Sequence, residues 1–461
     1  METPAQPKKL RVAIVGAGIG GLMLTAALRH MDKDKKLDVR VYEAAPVLAE
    51  IGAGINLWLR SWEILKRIDL EETLLAMMQE PPTDKTRLVF QLRKSDQAEG
   101  VHMSDLWMKG GTMRFHRAEL QLSLMAKVGD VVQLNRRLTG YSEYERHVEL
   151  EFADGSFANC DVLIAADGIK SAVRKQFLTS VRKGMAVGNP STDPVWSGTL
   201  AYRGLLSHEA IEKEFPGHRA KTRPVIYCGK YKHLVVYPLS NGKFTNVVAF
   251  TTDPKSEGIE WVGPLPTHAT QEEMKSQYEG WEPEVQALLN CIEAPTKWAI
   301  NNLNPIEKYA SHRVFLAGDA AHAMTPHQGA GAGQAIEDAY ILASLLTDRF
   351  CEDRNSIPHI AEVYNTIRCP AANAILLASR DQGKWCELDH PGLTNFKEGD
   401  SVPSDMLDKV FADISEAWEW VWMSSAEDDK KRAIEMLKEK REAMELQMLS
   451  AKTEEGACSL M

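Results

Sequence analysis

Residues Gly16-Ala17-Gly18-Ile19-Gly20-Gly21 have the spacing G-x-G-x-x-G. That spacing suits a dinucleotide. The first glycine permits a tight turn, the second lets pyrophosphate approach the backbone, and the third lets helix and strand pack closely. The phosphates then meet the positive end of the helix. Glu43 follows, 22 residues after Gly21, where a carboxylate can accept from a ribose hydroxyl. Taken alone, this leaves FAD and NAD both open. Two later turns narrow the choice. Asp167-Gly168 lies within CDVLIAADGIKSAVR (160–174), and Gly318-Asp319 within RVFLAGDAAHAMTPHQGAGAGQ (313–334). Asp319 at a strand end can bind a ribityl or ribose hydroxyl. The run Gly329–Gly333 lets backbone N–H groups approach a planar ring, and the helix that follows favours the anion of a reduced flavin. Ordinary turns explain each dipeptide singly, but not the three in this order.

A second group of residues could handle a small ring. His233, Val235, Tyr237 and Leu239 alternate and so share one strand face, and four strand residues span about 13 Å, enough to bracket a one-ring substrate. Ser240-Asn241-Gly242-Lys243 predicts a hairpin turn. It would set Tyr237 opposite Asn246 and His233 opposite Phe250. A histidine there titrates near neutrality and could take a phenolic proton. His327, next to the glycine run, is placed to lie close to a bound ring. Arg203 could pair a carboxylate or phenolate. The bland alternatives are a hydrogen-bonded structural histidine and an internal ion pair. His322 reads as packing around the Asp319 turn.

The elements that must position these residues follow from hydrophobic periodicity. Leu10–Val15 reads as a buried strand, then a helix runs from about Gly20 to Met31, and Leu37–Tyr42 is a second strand: a β-α-β unit. Helices are expected near Ser61–Arg67 and Arg117–Val128, within a mixed stretch from 55 to 130. Val148–Phe152, Asp161–Ala165 and Arg313–Ala317 read as strands, and Gly331–Asp348 as a helix. The division expected is a first FAD-binding part at 1–190, a β-sheet substrate domain at 191–290, a second FAD-binding part at 291–380 and a helical C-terminal region at 381–461. The fold class expected is α/β, with a discontinuous Rossmann-like FAD-binding domain and an inserted β-sheet domain. Trp418, Trp420 and Trp422 read as core or domain-contact residues.

Composition excludes several classes. The chain has 461 residues, 44% hydrophobic and 26% charged, with net charge −10 from 54 basic and 64 acidic residues. An acidic chain without a Lys/Arg cluster is a poor nucleic-acid binder. Its seven cysteines form no C-x-x-C pair, which argues against a zinc site or disulfide framework and for a reducing, cytoplasmic location. No metal site is expected. The basic residues before Val12–Leu28 mimic a signal peptide, but the glycines there argue against one. No apolar run suggests a membrane span. Cys458-Ser459-Leu460-Met461 fits C-a-a-X for prenylation at Cys458, without an upstream polybasic stretch; a chance match is the other reading. Monomer and homodimer stay open.

The chain resembles the single-component (group A) aromatic flavoprotein hydroxylases, and among them salicylate hydroxylases and related hydroxybenzoate and hydroxynicotinate monooxygenases. The segments that carry this are GAGIGG, Glu43-Ala-Ala-Pro with EIGAGI (50–55), HRAEL (116–120), CDVLIAADGIKSAVR, AYRG (201–204), NVVAF (246–250), APTKWAI (294–300) and GDAAHAMTPHQGAGAGQAIEDAY (318–340). The resemblance implies FAD, a transiently docking NADH or NADPH, and O2. It places Gly16, Gly18, Gly21, Glu43, Ala53, Arg117, Asp167 and Asp319 at the cofactor. It sets Pro326, Gly329, Gly331, Ala332 and Gly333 along the flavin ring. It also supports His233, Tyr237 and His327 as pocket residues. The chemistry implied is attack of a C4a-hydroperoxide on a phenol, with oxidative decarboxylation for a salicylate-type acid. Two alternatives remain: hydroxylation or dearomatisation of a prenylated or polyketide phenol without CO2 loss, and a non-catalytic binding protein on the same fold.

Overall fold

The computed structural model describes residues 9–48, 54–78, 81–183, 192–239, 243–264 and 266–458, with side chains through residue 447. Ala53, the hairpin residues 240–242 and the residues 459–461 of the C-a-a-X motif lie outside the described residues, as does the side chain of Cys458.

Leu10–Val15 is the centre of a six-stranded sheet. Leu37–Tyr42 pairs parallel on one side and Val162–Ala165 on the other. Val132–Gln133 and Val314–Leu316 extend the sheet in parallel, and Ala310–Ser311 closes one edge antiparallel. The three adjacent strands Leu10–Val15, Val162–Ala165 and Val314–Leu316 are almost entirely apolar and buried. Val12, Ile14, Val162, Ile164 and Phe315 are all essentially inaccessible, as expected for parallel strands covered on both sides. The helix Ile19–Met31 packs on the helix Gly331–Thr347. The strand order has a direct consequence. Strands 10–15, 162–165 and 314–316 are adjacent and parallel, so Gly16, Asp167 and Gly318 emerge side by side at their carboxyl ends. In open α/β sheets that is where ligands sit.

The second large sheet has eight strands, in the order 267–268, 296–302, 195–207, 244–252, 232–239, 225–229, 86–94 and 101–109. All neighbours are antiparallel except 225–229 with 86–94. Two of these strands, Thr86–Lys94 and Val101–Lys109, come from the stretch that sequence alone left mixed. Alternation divides the sheet. Tyr202, Leu234, Val236 and Val247 pack on one face with Val285 and Leu288 of the helix Pro283–Asn290. Ala201, Phe250, Val235, Val248 and Trp298 share the other. A two-stranded ribbon, Gly54–Leu57 with Met113–His116, links the two systems.

Four helices complete the chain: Ile357–Cys386, Ser404–Glu416, Trp420–Met423 and Ala426–Cys458. Trp418 packs edge-on against Trp58, with ring centroids 4.8 Å apart. The Trp58 indole N–H donates to the Gln328 carbonyl at 3.1 Å, and the Gln328 amide donates to the Ala417 carbonyl at 2.9 Å. The C-terminal region therefore braces the 326–329 turn from behind. The last helix also ties to the rest by ion pairs, Arg441 with Glu352 and Asp429 with the buried Arg60, which gives its many charges partners on the surface it covers. Among the described residues no helix is long and apolar enough to cross a membrane, and no cluster of His, Cys, Asp and Glu could hold a metal ion.

Candidate active site

The glycine fingerprint has the geometry its spacing implies. Gly16 has φ +104°, and a Cβ there would sit 2.2 Å from the Ala166 carbonyl oxygen. A Cβ at Gly21 would sit 2.0 Å from the Gly16 carbonyl oxygen, whereas one at Gly18 would meet nothing within 4 Å. Two of the glycines are thus demanded by packing, and Gly18 leaves space at the start of a helix, where an anion is stabilised. Glu43 directly follows the adjacent strand Leu37–Tyr42. Its carboxylate accepts from the Ala17 and Ala45 amides at 2.7 and 2.8 Å, which fixes its orientation beside the same turn.

Asp167 caps the next helix, Ala172–Val181: one oxygen accepts from the Ala172 amide at 2.9 Å. Its other oxygen is buried without a partner, and burial pushes this carboxyl up. Ser171 caps the same helix through the Arg174 amide. The buried Arg174 guanidinium donates to the Ala320 carbonyl at 3.1 Å and so fastens the Asp167 loop to the Asp319 turn. Asp319 itself is exposed at the start of the helix Asp319–His322, available to a hydroxyl. Behind it, Asp338 accepts from the Gly318 amide at 2.8 Å and pairs with His322 at 2.6 Å. His322 therefore braces the turn, as the sequence suggested.

The turn Pro326–Gln328 leads to Gly329, in the left-handed region at φ +56°. The helix Gly331–Thr347 follows, with Gly331 and Ala332 half-exposed in its first turn and Pro326 exposed ahead of it. Gly333 differs. A Cβ there would meet the Ser61 hydroxyl at 2.7 Å, so its small size serves helix packing. Gly329 lies against Asn56 and Trp58. Asn56 pairs in register with Arg114, and the Arg114 guanidinium lies over the Tyr237 ring at 5.2 Å. A continuous line of contacts thus joins the glycine turn to the substrate sheet. Arg117 is exposed at the start of the helix Arg117–Val128. The orphaned Asp167 oxygen and the open space at Gly18 fit a bound FAD.

The hairpin register is as expected: Tyr237 opposes Asn246 and His233 opposes Phe250. Tyr237 is buried, and burial raises its phenol while Arg114 and Arg203 pull the other way. The Asn246 amide nitrogen is buried without a partner. Arg203 lies on the same face, with its guanidinium 5.4 Å from the Trp298 ring centroid. Burial lowers its pKa, and its Nε has no hydrogen-bond partner. Among the described residues no carboxylate pairs with it.

His233 corrects one expectation. It is buried and stacked on Phe250 at 4.5 Å, and His327 lies 5.1 Å away. Burial pushes both imidazoles down to about 3 rather than leaving them near neutrality. The His233 Nδ1 sits 3.1 Å from the Glu387 carboxyl. Glu387, Arg114, Asn56, Trp298 and Gly383 were not picked out from the sequence. Gly383 lets the long helix pass His327: a Cβ there would come within 2.4 Å of the ring. Only their place in the fold reveals them, because no local pattern marks a helix end or a two-residue ribbon contact as part of a site.

Residues 9–379 match the family described as FAD binding domain. Salicylate hydroxylase of Pseudomonas putida is 35% identical over 394 residues, 84% of this chain and 88% of that protein. 6-Methylsalicylate 1-monooxygenase of Aspergillus terreus is 32% identical over 388 residues, 81% and 82% of the two chains. A solved structure, a salicylate hydroxylase substrate complex, matches with a TM-score of 0.80 at 30% identity, over 93% of this chain and 98% of the other.

Proposed function

This chain belongs to the FAD-binding-domain family of aromatic flavoprotein monooxygenases, and we propose that the phenol it hydroxylates is a small hydroxybenzoic acid of the salicylate kind, with loss of the carboxylate as CO2. FAD is its cofactor, and a reduced nicotinamide and O2 are its co-substrates. When bound, FAD takes the nicotinamide hydride and activates O2 for transfer of one oxygen atom to the ring. The balance is a hydroxybenzoic acid, NADH, a proton and O2 on one side, and a dihydroxybenzene, CO2, NAD+ and water on the other.

The observation that carries the proposal is Arg203, a half-buried cation whose enclosed Nε has no hydrogen-bond partner and which has no carboxylate partner among the described residues. A buried charge without a counter-ion is costly, and a substrate carboxylate would supply the missing one in a charge-assisted pair. Tyr237 and Asn246, opposed in the hairpin, would hold the phenolic oxygen. Val235, Val248, Phe250 and Trp298 would pack on the ring and keep water out, which strengthens each polar contact. Holding the ring by its carboxylate would fix which carbon faces the flavin, and fixed orientation is the larger part of the catalysis required of the protein. Gly16, Gly18 and Glu43 would hold the adenosine half of FAD, with Asp319 at the ribityl chain and Gly329 at the ring. The four parts keep the order expected from sequence, but their bounds shift: strands 86–94, 101–109 and 296–302, expected in the FAD-binding parts, join the substrate sheet.

The test is aerobic incubation with NADH or NADPH and a panel of hydroxybenzoates, following nicotinamide oxidation, CO2 and ring product together. Stoichiometric CO2 and a dihydroxybenzene are expected with an ortho-hydroxybenzoate. Hydroxylated product without CO2 would move the substrate to larger phenols, and oxidation yielding only peroxide across the panel would sink the proposal.

A further inference from the structure

The last turn of the helix Ile357–Cys386 and its cap reach the strands 232–239 and 244–252 at their ends near Tyr231 and Thr252. Two positions four residues apart share that face. Gly383 lies against His327, and Glu387, whose amide donates to the Gly383 carbonyl at 3.0 Å, meets His233. The Glu387 carboxyl is almost fully enclosed. One oxygen lies 3.1 Å from His233 Nδ1 and accepts from the Thr252 hydroxyl at 2.9 Å. The Thr252 hydroxyl is in turn 2.8 Å from that of Thr199. The helix end is clamped in place: the Tyr231 amide donates to the Glu387 carbonyl at 2.8 Å, and Lys230 Nζ to the Leu388 carbonyl at 3.0 Å. No hydrogen-bond partner is found among the described residues for the other ring nitrogen of His233, Nε2.

We propose that Glu387 is a positioning residue for the hydroxylation: as a carboxylate it accepts the Nδ1–H of His233 and so leaves Nε2 as the lone-pair nitrogen that takes the phenolic proton of the substrate. This rests on the phenolic-acid reading above. The phenolic O–H bond breaks and an Nε2–H bond forms. As it forms, the Nδ1–H bond breaks and that proton passes to the Glu387 carboxylate, so the ring stays neutral; the relay reverses to return the proton to the product's oxygen. No electrons move in this step. When the carboxyl is protonated the arrangement inverts. Its O–H then donates to Nδ1, Nε2 must carry the ring proton, and His233 becomes a donor that cannot act as a base. In an imidazole the bond made by one nitrogen decides which nitrogen holds the proton.

The surroundings place that inversion in an accessible pH range. Burial raises the Glu387 carboxyl to about 7. His327, from the 326–328 turn, and Lys384, on its own helix, pull it down, as does the Thr252 hydroxyl from the neighbouring strand; Asp389 pushes it up. Tyr278 also senses its charge from the segment before the helix Pro283–Asn290. Lys230 is occupied by the Leu388 and Leu393 carbonyls. His233 resists protonation because it is buried, so a proton taken at Nε2 is handed on through Nδ1 to Glu387.

The experiment uses the FAD-loaded enzyme with salicylate as probe. Product formed per NADH consumed, the hydroxylation rate and salicylate affinity (from the flavin absorbance change) are measured from pH 5.5 to 9 for wild type, Glu387→Gln and Glu387→Asp. The wild-type hydroxylation rate should rise through about pH 7. Glu387→Gln should retain FAD and bind salicylate within about threefold, lose the rising limb, and hydroxylate on the order of 10²-fold more slowly near pH 7.5, the scale of a lost acid–base contribution. Its NADH oxidation should continue, with peroxide replacing the ring product. Glu387→Asp should recover part of the rate. A Glu387→Gln enzyme with the wild-type limb and product yield would overturn the proposal while leaving the phenolic-acid reading intact. Equal losses in both variants accompanied by FAD release would also overturn it, since a purely structural role predicts that. Should neither variant fold, a wild-type rate flat between pH 6 and 8 overturns it. A wild type that forms no product from any hydroxybenzoate removes the underlying reading, and this one with it.

Discussion

Arg203 shows how a single side chain can be unfavourable for the fold and necessary for the ligand. Its guanidinium is half-buried, lies over the Trp298 ring and has an enclosed Nε without a partner and no carboxylate partner among the described residues. Replacing a buried, unpaired charge with an apolar group of similar volume is often neutral or stabilising. Arg203→Met should therefore keep or raise the thermal midpoint of the ligand-free enzyme. Hydrogen bonds to charged groups contribute roughly 1.5–3 kcal/mol, so salicylate binding should weaken by about 10- to 150-fold. A phenol lacking the carboxylate should bind within about threefold of wild type. Equal weakening for both ligands would show that Arg203 does not face the carboxylate. At this scale the sequence was legible where local geometry decides. The Asn-Gly spacing between the two apolar runs predicts the register, and Tyr237 pairs with Asn246 and His233 with Phe250 as that spacing implies. It was not legible where distant segments meet. Glu387 is 154 positions from His233, and the shift of His233 away from neutrality comes from burial, which no strand pattern reports.

Three turns side by side, rather than any one of them, make the cofactor site, and they are side by side because strands 10–15, 162–165 and 314–316 are neighbours. Within the first turn the glycines have separable jobs. A Cβ at Gly21 would collide with the Gly16 carbonyl at 2.0 Å, while one at Gly18 would meet nothing of the protein. Gly21→Ala should therefore damage the turn itself, giving protein that unfolds early and carries no flavin. Gly18→Ala should fold, with a cost of about 1 kcal/mol or less at this helix cap, yet bind FAD poorly because the new methyl takes pyrophosphate space. Thermal unfolding of the apoproteins and flavin content after purification separate the two. If Gly18→Ala holds FAD as wild type does, the pyrophosphate does not pass there. These elements were readable because short apolar strands and glycine turns carry strong local signals. Thr86–Lys94 was not. Its strand pattern is broken by Arg93 and Lys94, which are buried yet satisfied by Glu282 and Asp96, and a pairing such as Arg93 with the remote Glu282 cannot be seen in a local window.

For the molecule as a whole, the interface between the sheets and the long helix decides how the fold responds to acid. His233 is sealed there and His327 half-buried beside it, and burial keeps both from taking a proton until about pH 3, whereas unfolded histidines take one near 6.5. A depressed folded-state pKa gives stability that is present above the unfolded value and lost as pH falls towards the folded one. Glu387 acts in the opposite sense. Raised from 4.5 to about 7, it favours the fold at low pH and loses that contribution as pH rises through 7. Between pH 6.5 and 4.5 the unfolded chain gains two protons on the histidines, against one held on Glu387 in the folded state. The balance leaves about one proton, so these three groups alone should lower stability by roughly 1 kcal/mol per pH unit on acidification. Asp338, held below the ordinary carboxylate range by His322 and Arg368 against the effect of burial, continues the loss below about pH 4. Glu387→Gln removes the opposing group and should make the decline between 6.5 and 4.5 about twice as steep. Thermal midpoints across that range, with flavin fluorescence followed in the same samples, test both halves of the argument. FAD should be released together with the fall in midpoint, because the same buried residues close the site and join the two sheets. A midpoint independent of pH from 4.5 to 6.5 would mean that water already reaches the two histidines in the folded enzyme, and a site that wet could not protect the oxygen transfer assigned to it.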